Sequence, residues 1–305
     1  MSREVKEEKL KDGKQQNYDF DALGKAYPPI VEYLLEVNGR QSIDFGNAAA
    51  VKALNTAILL QNYGLDSYDL PDGYLVPGVT GRRKYIDQVA NLLTQKGTSL
   101  RKRVIADIGV GGNCIYPIIG HKAYGWQFLG IDSHSESINV ASDIIKSNNL
   151  SDRINLRLQP NQSQIITGWI EEEDYFDCMI CNPPFYTSDD DANRHSSRKQ
   201  KGLSLNATHR TFGGQPQELI TEGGELGFVT RYIEESKQYG NQVYSFSSLI
   251  SSGTHLTRLE NILKDLKCTE RRVLEISTSN KASRILVWSF LTPKQREVWR
   301  DYRWR

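Results

Sequence analysis

The chain has 305 residues, enough to bury a sizeable core, and its formal net charge of +1 excludes a protein that coats nucleic acid through bulk charge alone. Its apolar runs, such as Ala48 to Val51, are far too short to cross a bilayer, and Met1 to Lys14 is a charged stretch rather than an apolar leader. An intracellular protein is expected, nuclear or cytoplasmic. Cys114, Cys178, Cys181 and Cys268 are too few and too irregularly placed for a disulfide framework. Cys178 and Cys181 form a lone CxxC, and strand alternation turns the two thiols to opposite faces, so no metal site is expected.

Residues 1–17 are rich in Lys, Glu and Gln with little apolar content, which predicts a flexible arm. A small, mainly helical N-terminal subdomain is expected over residues 18–100. In it Asn47 caps a helix with Val51, Leu54, Ile58 and Leu59 on one face, and Tyr85, Val89, Leu92 and Leu93 repeat the spacing. From residue 101 to 305 apolar strand-like runs alternate with helical spacings, the pattern of an α/β sheet with crossover helices. Strands are predicted at Val104 to Ile108, Gln127 to Ile131, Ile154 to Leu158, Phe176 to Cys181 and Val243 to Ile250. Helices are predicted near Cys114 to His121, Glu136 to Ser147, Gln164 to Glu171, Glu222 to Ser236 and Leu256 to Leu266. Arg272 to Ile276 and Ile285 to Leu291 close a mostly parallel sheet as an antiparallel hairpin.

Two strand ends carry the chemistry of a nucleotide-type site. The first reads Asp107-Ile108-Gly109-Val110-Gly111-Gly112-Asn113, where glycines let the backbone turn tightly against a ligand. The second ends Gly130-Ile131-Asp132, an acid placed for a ribose diol. The dinucleotide fingerprint needs a third glycine where Cys114 stands, and the acidic Asp107 disfavours a pyrophosphate, so S-adenosylmethionine suits the loop better than NAD. The fourth strand stops at Asn182-Pro183-Pro184-Phe185. Proline fixes φ and extends the residue before it, leaving a stiff loop with an amide, free carbonyls and an aromatic ring, a set suited to a planar ring bearing an amine.

Asp107 to Gly112, Gly130 to Asp132 and Asn182 to Phe185 together resemble S-adenosylmethionine-dependent N6-adenine methyltransferases. Val76 to Arg82, Cys114 to Pro117 and Glu222 to Val229 narrow the resemblance to the family uniting the bacterial large-subunit rRNA adenine-N6 methyltransferases F with the eukaryotic methyltransferase-like proteins sixteen, which act on U6 snRNA. It spans about Tyr18 to Leu291. It implies a Rossmann-like class I methyltransferase domain with a seven-stranded sheet, S-adenosylmethionine as cofactor with S-adenosylhomocysteine as product, and N6-methylation of an adenosine in structured RNA.

By the same resemblance Asn182, Pro183, Pro184 and Phe185 form the catalytic loop, and Asn182 also contacts the cofactor. Asp107, Gly109, Gly111 and Asn113 hold the methionine side of the cofactor, Asp132 the ribose and Arg82 the cofactor carboxylate, with Gln159 in a loop beside it. Two basic blocks are candidate RNA contacts: Arg101 and Lys102 in the first, Arg194, Arg198, Lys199, Lys201 and Arg210 in the second. Two alternatives share parts of this pattern, a non-catalytic RNA-binding module of the same fold and a protein glutamine methyltransferase with the same Asn-Pro-Pro loop.

Overall fold

The structure is a computed structural model that describes residues 18–71, 74, 77–95, 98–184, 221–278 and 281–304. The 1–17 arm, Phe185 and the second basic block, Arg194, Arg198, Lys199, Lys201 and Arg210, lie outside the described residues.

The N-terminal part begins with α1 (Phe20–Ala26), a short hairpin of β1 (Leu34–Val37) and β2 (Arg40–Ile43), then α2 (Ala48–Tyr63) and α3 (Val79–Leu93). Asn47 caps α2 as its chemistry predicts, its side-chain oxygen accepting from Ala49 N–H and Ala50 N–H. The hairpin was not expected from the sequence. It turns at Asn38-Gly39, both at positive φ, which is the pair a two-residue hairpin turn requires.

The sheet follows: β3 (Val104–Ile108), α4 (Ile115–Tyr124), β4 (Gln127–Asp132), α5 (Ser135–Ser147), β5 (Ile154–Leu158), β6 (Cys178–Cys181), α6 (Gly224–Ser236), β7 (Phe246–Ile250), α7 (Gly253–Asp265), β8 (Glu270–Thr278), β9 (Lys281–Ser289) and α8 (Pro293–Arg303). Seven strands lie in the order β5-β4-β3-β6-β7-β9-β8, with β3 to β7 parallel and β9 antiparallel to both its neighbours. This is the expected mostly parallel sheet closed by an antiparallel hairpin, a Rossmann-like arrangement. The order reverses at β3, where β4 lies on one side and β6 on the other, and such a switch point opens a crevice at the strands' C-terminal ends.

Both faces of the sheet are covered. Ile105, Cys178 and Ile180 join the cluster formed with α2, α3, α4 and α5, whereas Ala106, Met179 and Cys181 join the cluster under α6 and α7. Cys178 and Cys181 therefore point to opposite faces, as alternation predicts, and both thiols are buried and free.

One predicted helix is absent. Residues 164–171 form successive turns. Glu235 on α6 accepts the N–H groups of Ile165, Ile166 and Thr167 at 2.8 to 3.1 Å, and Gly168 at φ +102 breaks the helical path. The apolar spacing serves instead to bury Ile165, Ile166 and Trp169 beneath the sheet.

The C-terminal helix α8 also went unpredicted, although Thr292 and Gln295 form a capping box at its start with Pro293 in the first turn. Trp299 and Trp304 donate their indole N–H groups to Asp177 Oδ1 at 2.8 and 2.6 Å. Asp177 Oδ2 accepts Val104 N–H, so this carboxylate ties α8 to the starts of β3 and β6. Among the described residues no helix is long and apolar enough to cross a membrane.

Candidate active site

A cleft of about 500 Å3 opens where the C-terminal ends of β3, β4, β5 and β6 meet. Arg82, Gly109, Gly111, Asn113, Asp132, Gln159, Asn182, Pro183 and Pro184 all line it, so residues chosen from five separate stretches of sequence converge. A hollow of about 490 Å3 beside α8 lies at the opposite end of the strands, and its lining carries neither a glycine loop nor a carboxylate.

The glycine loop is built by two positive-φ residues, Gly109 at +74 and Gly111 at +62. Gly109 N–H and Val110 N–H both donate to Ile131 O at 2.9 Å, which folds the loop over the end of β4. Cys114, at the position of the missing third glycine, adopts φ +48 and is fully buried. The backbone thus keeps the left-handed turn that glycine would make easily, at a strain of about 1 kcal/mol. Asn113 Oδ1 then caps Ile115 N–H at the start of α4.

Asp132 is held rather than free. Its Oδ2 accepts Gly111 N–H and its Oδ1 accepts His134 N–H, each at 2.9 Å, leaving further lone pairs toward the cleft. Gln159 also lines the cleft, but its amide bridges its own loop, accepting from Asn161 N–H and donating to Thr167 O. Arg82 sits in the first turn of α3. Asn55 fixes that turn by accepting Val79 N–H at 3.0 Å while donating to Val51 O, so α2 sets where the guanidinium goes.

Asp107 lies one layer below, on β3, nearly inaccessible. Both its oxygens are buried without a partner among the described residues. Burial, reinforced by the charge of Asp132, pushes its carboxyl well above the usual carboxylate range. Arg82 Nε is likewise buried and unpartnered. A guanidinium nitrogen of a cleft residue and a carboxyl just beneath the cleft, both buried without partners among the described residues, suit a ligand that brings both an acidic and an amino group. The amino-acid end of S-adenosylmethionine is such a ligand, so the residues present fit the expected cofactor.

Of the predicted RNA-contact residues, the two that are described, Arg101 and Lys102, do not line the cleft. Arg101 and Lys102 occupy a short turn before β3, at the N-terminal ends of the strands, opposite the cleft. The basic run around them is dispersed: Arg83 pairs with Asp87 at 2.5 Å, and Arg103 is fully buried with its guanidinium 4.0 Å from the Trp304 ring centroid. Sequence reasoning also missed several cleft residues. Tyr116 and Phe228 stand inside stretches used for the resemblance, and His134 follows Asp132 by two, yet none was assigned a role; Arg231 carried no local signal.

Among the described residues no group of three or more His, Cys, Asp or Glu could hold a metal ion. A family described as RNA methyltransferase matches residues 8–292. The ribosomal RNA large subunit methyltransferase F of Pseudomonas aeruginosa strain LESB58 is 41% identical over 301 residues, covering 94% of this chain and 89% of its own. That of Cronobacter sakazakii is 42% identical over 293 residues, covering 94% and 95%. Among solved structures, the human METTL16 catalytic domain in complex with MAT2A 3′UTR hairpin 1 superposes with a TM-score of 0.78 at 30% identity over 90% of this chain and 92% of that one. The N-terminal domain of human METTL16 in complex with SAH gives a TM-score of 0.69 at 29% identity over 90% and 95%. Similarity along nearly the whole chain, on a fold whose cleft suits the cofactor, places the protein in this family: it is an S-adenosylmethionine-dependent RNA methyltransferase.

Proposed function

We propose that the protein methylates the exocyclic N6 amine of an adenosine in structured RNA. The observation that carries this reading is the position of Asn182, Pro183 and Pro184, which follow β6 directly and line the same cleft as the glycine loop and Asp132. Large-subunit rRNA is the favoured substrate, because relatives named for it match at higher identity than the hairpin-binding structures do. A U6-type hairpin is the second candidate. Residues 18–100 serve as a subdomain that presents Arg82, and the basic residues at 194–210 contact RNA.

S-adenosylmethionine, when bound, supplies an electrophilic methyl group. The chain's own residues prepare the amine. Its lone pair is delocalised into the adenine ring and is a poor nucleophile until the nitrogen becomes tetrahedral. The Asn182 side-chain oxygen and the Pro183 carbonyl accept the two amine hydrogens and favour that geometry, so they act more strongly in the transition state than in the ground state. Phe185 stacks on the base, a contact worth about 1–3 kcal/mol in single-strand binders. No strong base is needed if the proton leaves after transfer.

The test is methyl transfer to a large-subunit rRNA fragment and to a U6-like hairpin, with nucleosides separated to identify N6-methyladenosine. Asn182→Ala should retain S-adenosylhomocysteine binding and lose methylation about 100-fold or more. Undiminished methylation by that variant, or a methyl group found elsewhere than adenine N6, overturns the reading.

A further inference from the structure

Tyr116 has a role that neither the glycine loop nor the proline loop explains. It lies in the first turn of α4, is 4% exposed, and lines the cleft. Its ring packs edge-on to Tyr85 with centroids 5.5 Å apart, which fixes its direction. Its hydroxyl is buried with no hydrogen-bond partner among the described residues. A phenol usually finds a partner when buried, so an orphaned one beside a cleft points to a group that arrives later.

The neighbouring orphans define that group. Arg82 Nε and both oxygens of Asp107 are also buried without partners, and these two residues are the charged groups whose fields act on the Tyr116 hydroxyl. Burial raises the phenol's pKa, so the hydroxyl is a neutral donor at neutral pH. One cation, one acid and one neutral donor are together complementary to a zwitterion. The N-terminus of α4, where Tyr116 sits, also favours negative charge.

We propose that the Tyr116 hydroxyl donates a hydrogen bond to the α-carboxylate of the cofactor beside Arg82, leaving Asp107 to receive the ammonium. This makes Tyr116 a cofactor-binding residue specific for the carboxylate. It rests on the reading that the cleft binds S-adenosylmethionine.

The experiment is calorimetric binding to wild type and Tyr116→Phe of three probes: S-adenosylhomocysteine, decarboxylated S-adenosylmethionine, which keeps the amine, and methylthioadenosine, which lacks the amino-acid end. The variant should bind S-adenosylhomocysteine five- to tenfold more weakly and the other two within twofold of wild type. Its melting temperature without ligand should be unchanged or higher, because the removed oxygen has no partner in the free protein. Unchanged S-adenosylhomocysteine affinity, equal weakening of all three probes, or a lower melting temperature overturns the role of Tyr116 alone. Wild type that binds no S-adenosylhomocysteine overturns the cofactor assignment of the cleft and this inference with it.

Discussion

The hydroxyls of Tyr85 on α3 and Ser247 on β7 lie 2.9 Å apart beneath the end of β6. Tyr85 Oη accepts Cys181 N–H at 3.3 Å, and Ser247 Oγ donates to Met179 O at 3.1 Å. Met179↔Phe246 is the backbone pair recorded between β6 and β7, so side-chain hydroxyls take over where that ladder stops. Cys181 is the residue before Asn182, and an element of the N-terminal part therefore sets the root of the Asn182-Pro183-Pro184 loop.

Tyr85→Phe should leave the ring packing intact and strand Cys181 N–H. A stability loss of about 1–2 kcal/mol is expected from the unsatisfied group. The turnover rate should fall about tenfold or more, because a small displacement of Asn182 misaligns the amine, while S-adenosylhomocysteine affinity stays the same. Parallel denaturation, kinetics and binding check this, and an unaltered turnover rate would refute it.

Asp107 should make the unliganded protein sensitive to pH. Its folded pKa is raised above the unfolded value, so folding favours its protonated form. That contribution is complete below the unfolded value of about 4 and is lost as pH rises through the folded one. Asp107→Asn removes the charge and keeps the shape. Its melting temperature should therefore climb relative to wild type as pH increases from 4 to 8, while S-adenosylhomocysteine affinity drops. Two melting curves that stay parallel over this range would contradict the assignment.

Gly109 and Gly130 separate binding from folding. A Cβ on Gly130 would come within 2.8 Å of Val110 Cγ2 and 2.9 Å of Leu156 Cδ2, so Gly130→Ala should cost about 1–3 kcal/mol in stability by overpacking. A Cβ on Gly109 meets nothing within 4 Å, and the penalty of its positive φ is about 1 kcal/mol. Gly109→Ala should instead show its main effect as weakened cofactor binding, since the new methyl enters the loop that faces the cleft. Thermal melts and titrations of the two variants distinguish these outcomes.

Far from the cleft, Asp177 is the counter-charge to the buried Arg103 as well as the acceptor for Trp299 and Trp304. Asp177→Asn turns one acceptor oxygen into a donor facing Val104 N–H or an indole, and leaves the guanidinium uncompensated. A loss of about 3 kcal/mol is expected. Combining it with Arg103→Met should cost less than the sum of the single changes, measured by urea unfolding. Full additivity would show that the two groups do not interact.

How much of this was legible in the sequence follows from the range of the forces involved. Glycine, proline and short-range periodicity act within a few residues, so the succession of strands along the Rossmann-like half, the Gly109 and Gly111 turn and the Asn182 loop could be read directly. The Asn38-Gly39 hairpin and the Thr292 capping box were equally local signals, present but unread. The absent helix at 164–171 was not local: a carboxylate 70 residues further on, Glu235, took the N–H groups that a helix start would have offered. Charge also proved non-local. Arg82, Arg101 and Arg103 look alike in one basic run, yet packing sends the first to the cleft, leaves the second at the opposite end of the strands and buries the third against Trp304. The sequence by itself determined the glycine loop and the proline-stiffened loop, because their backbone geometry is set by their own residues. The tertiary structure alone decided which charges and hydroxyls are buried at the cleft, because desolvation and orphaned hydrogen-bonding groups exist only once the chain has closed around them.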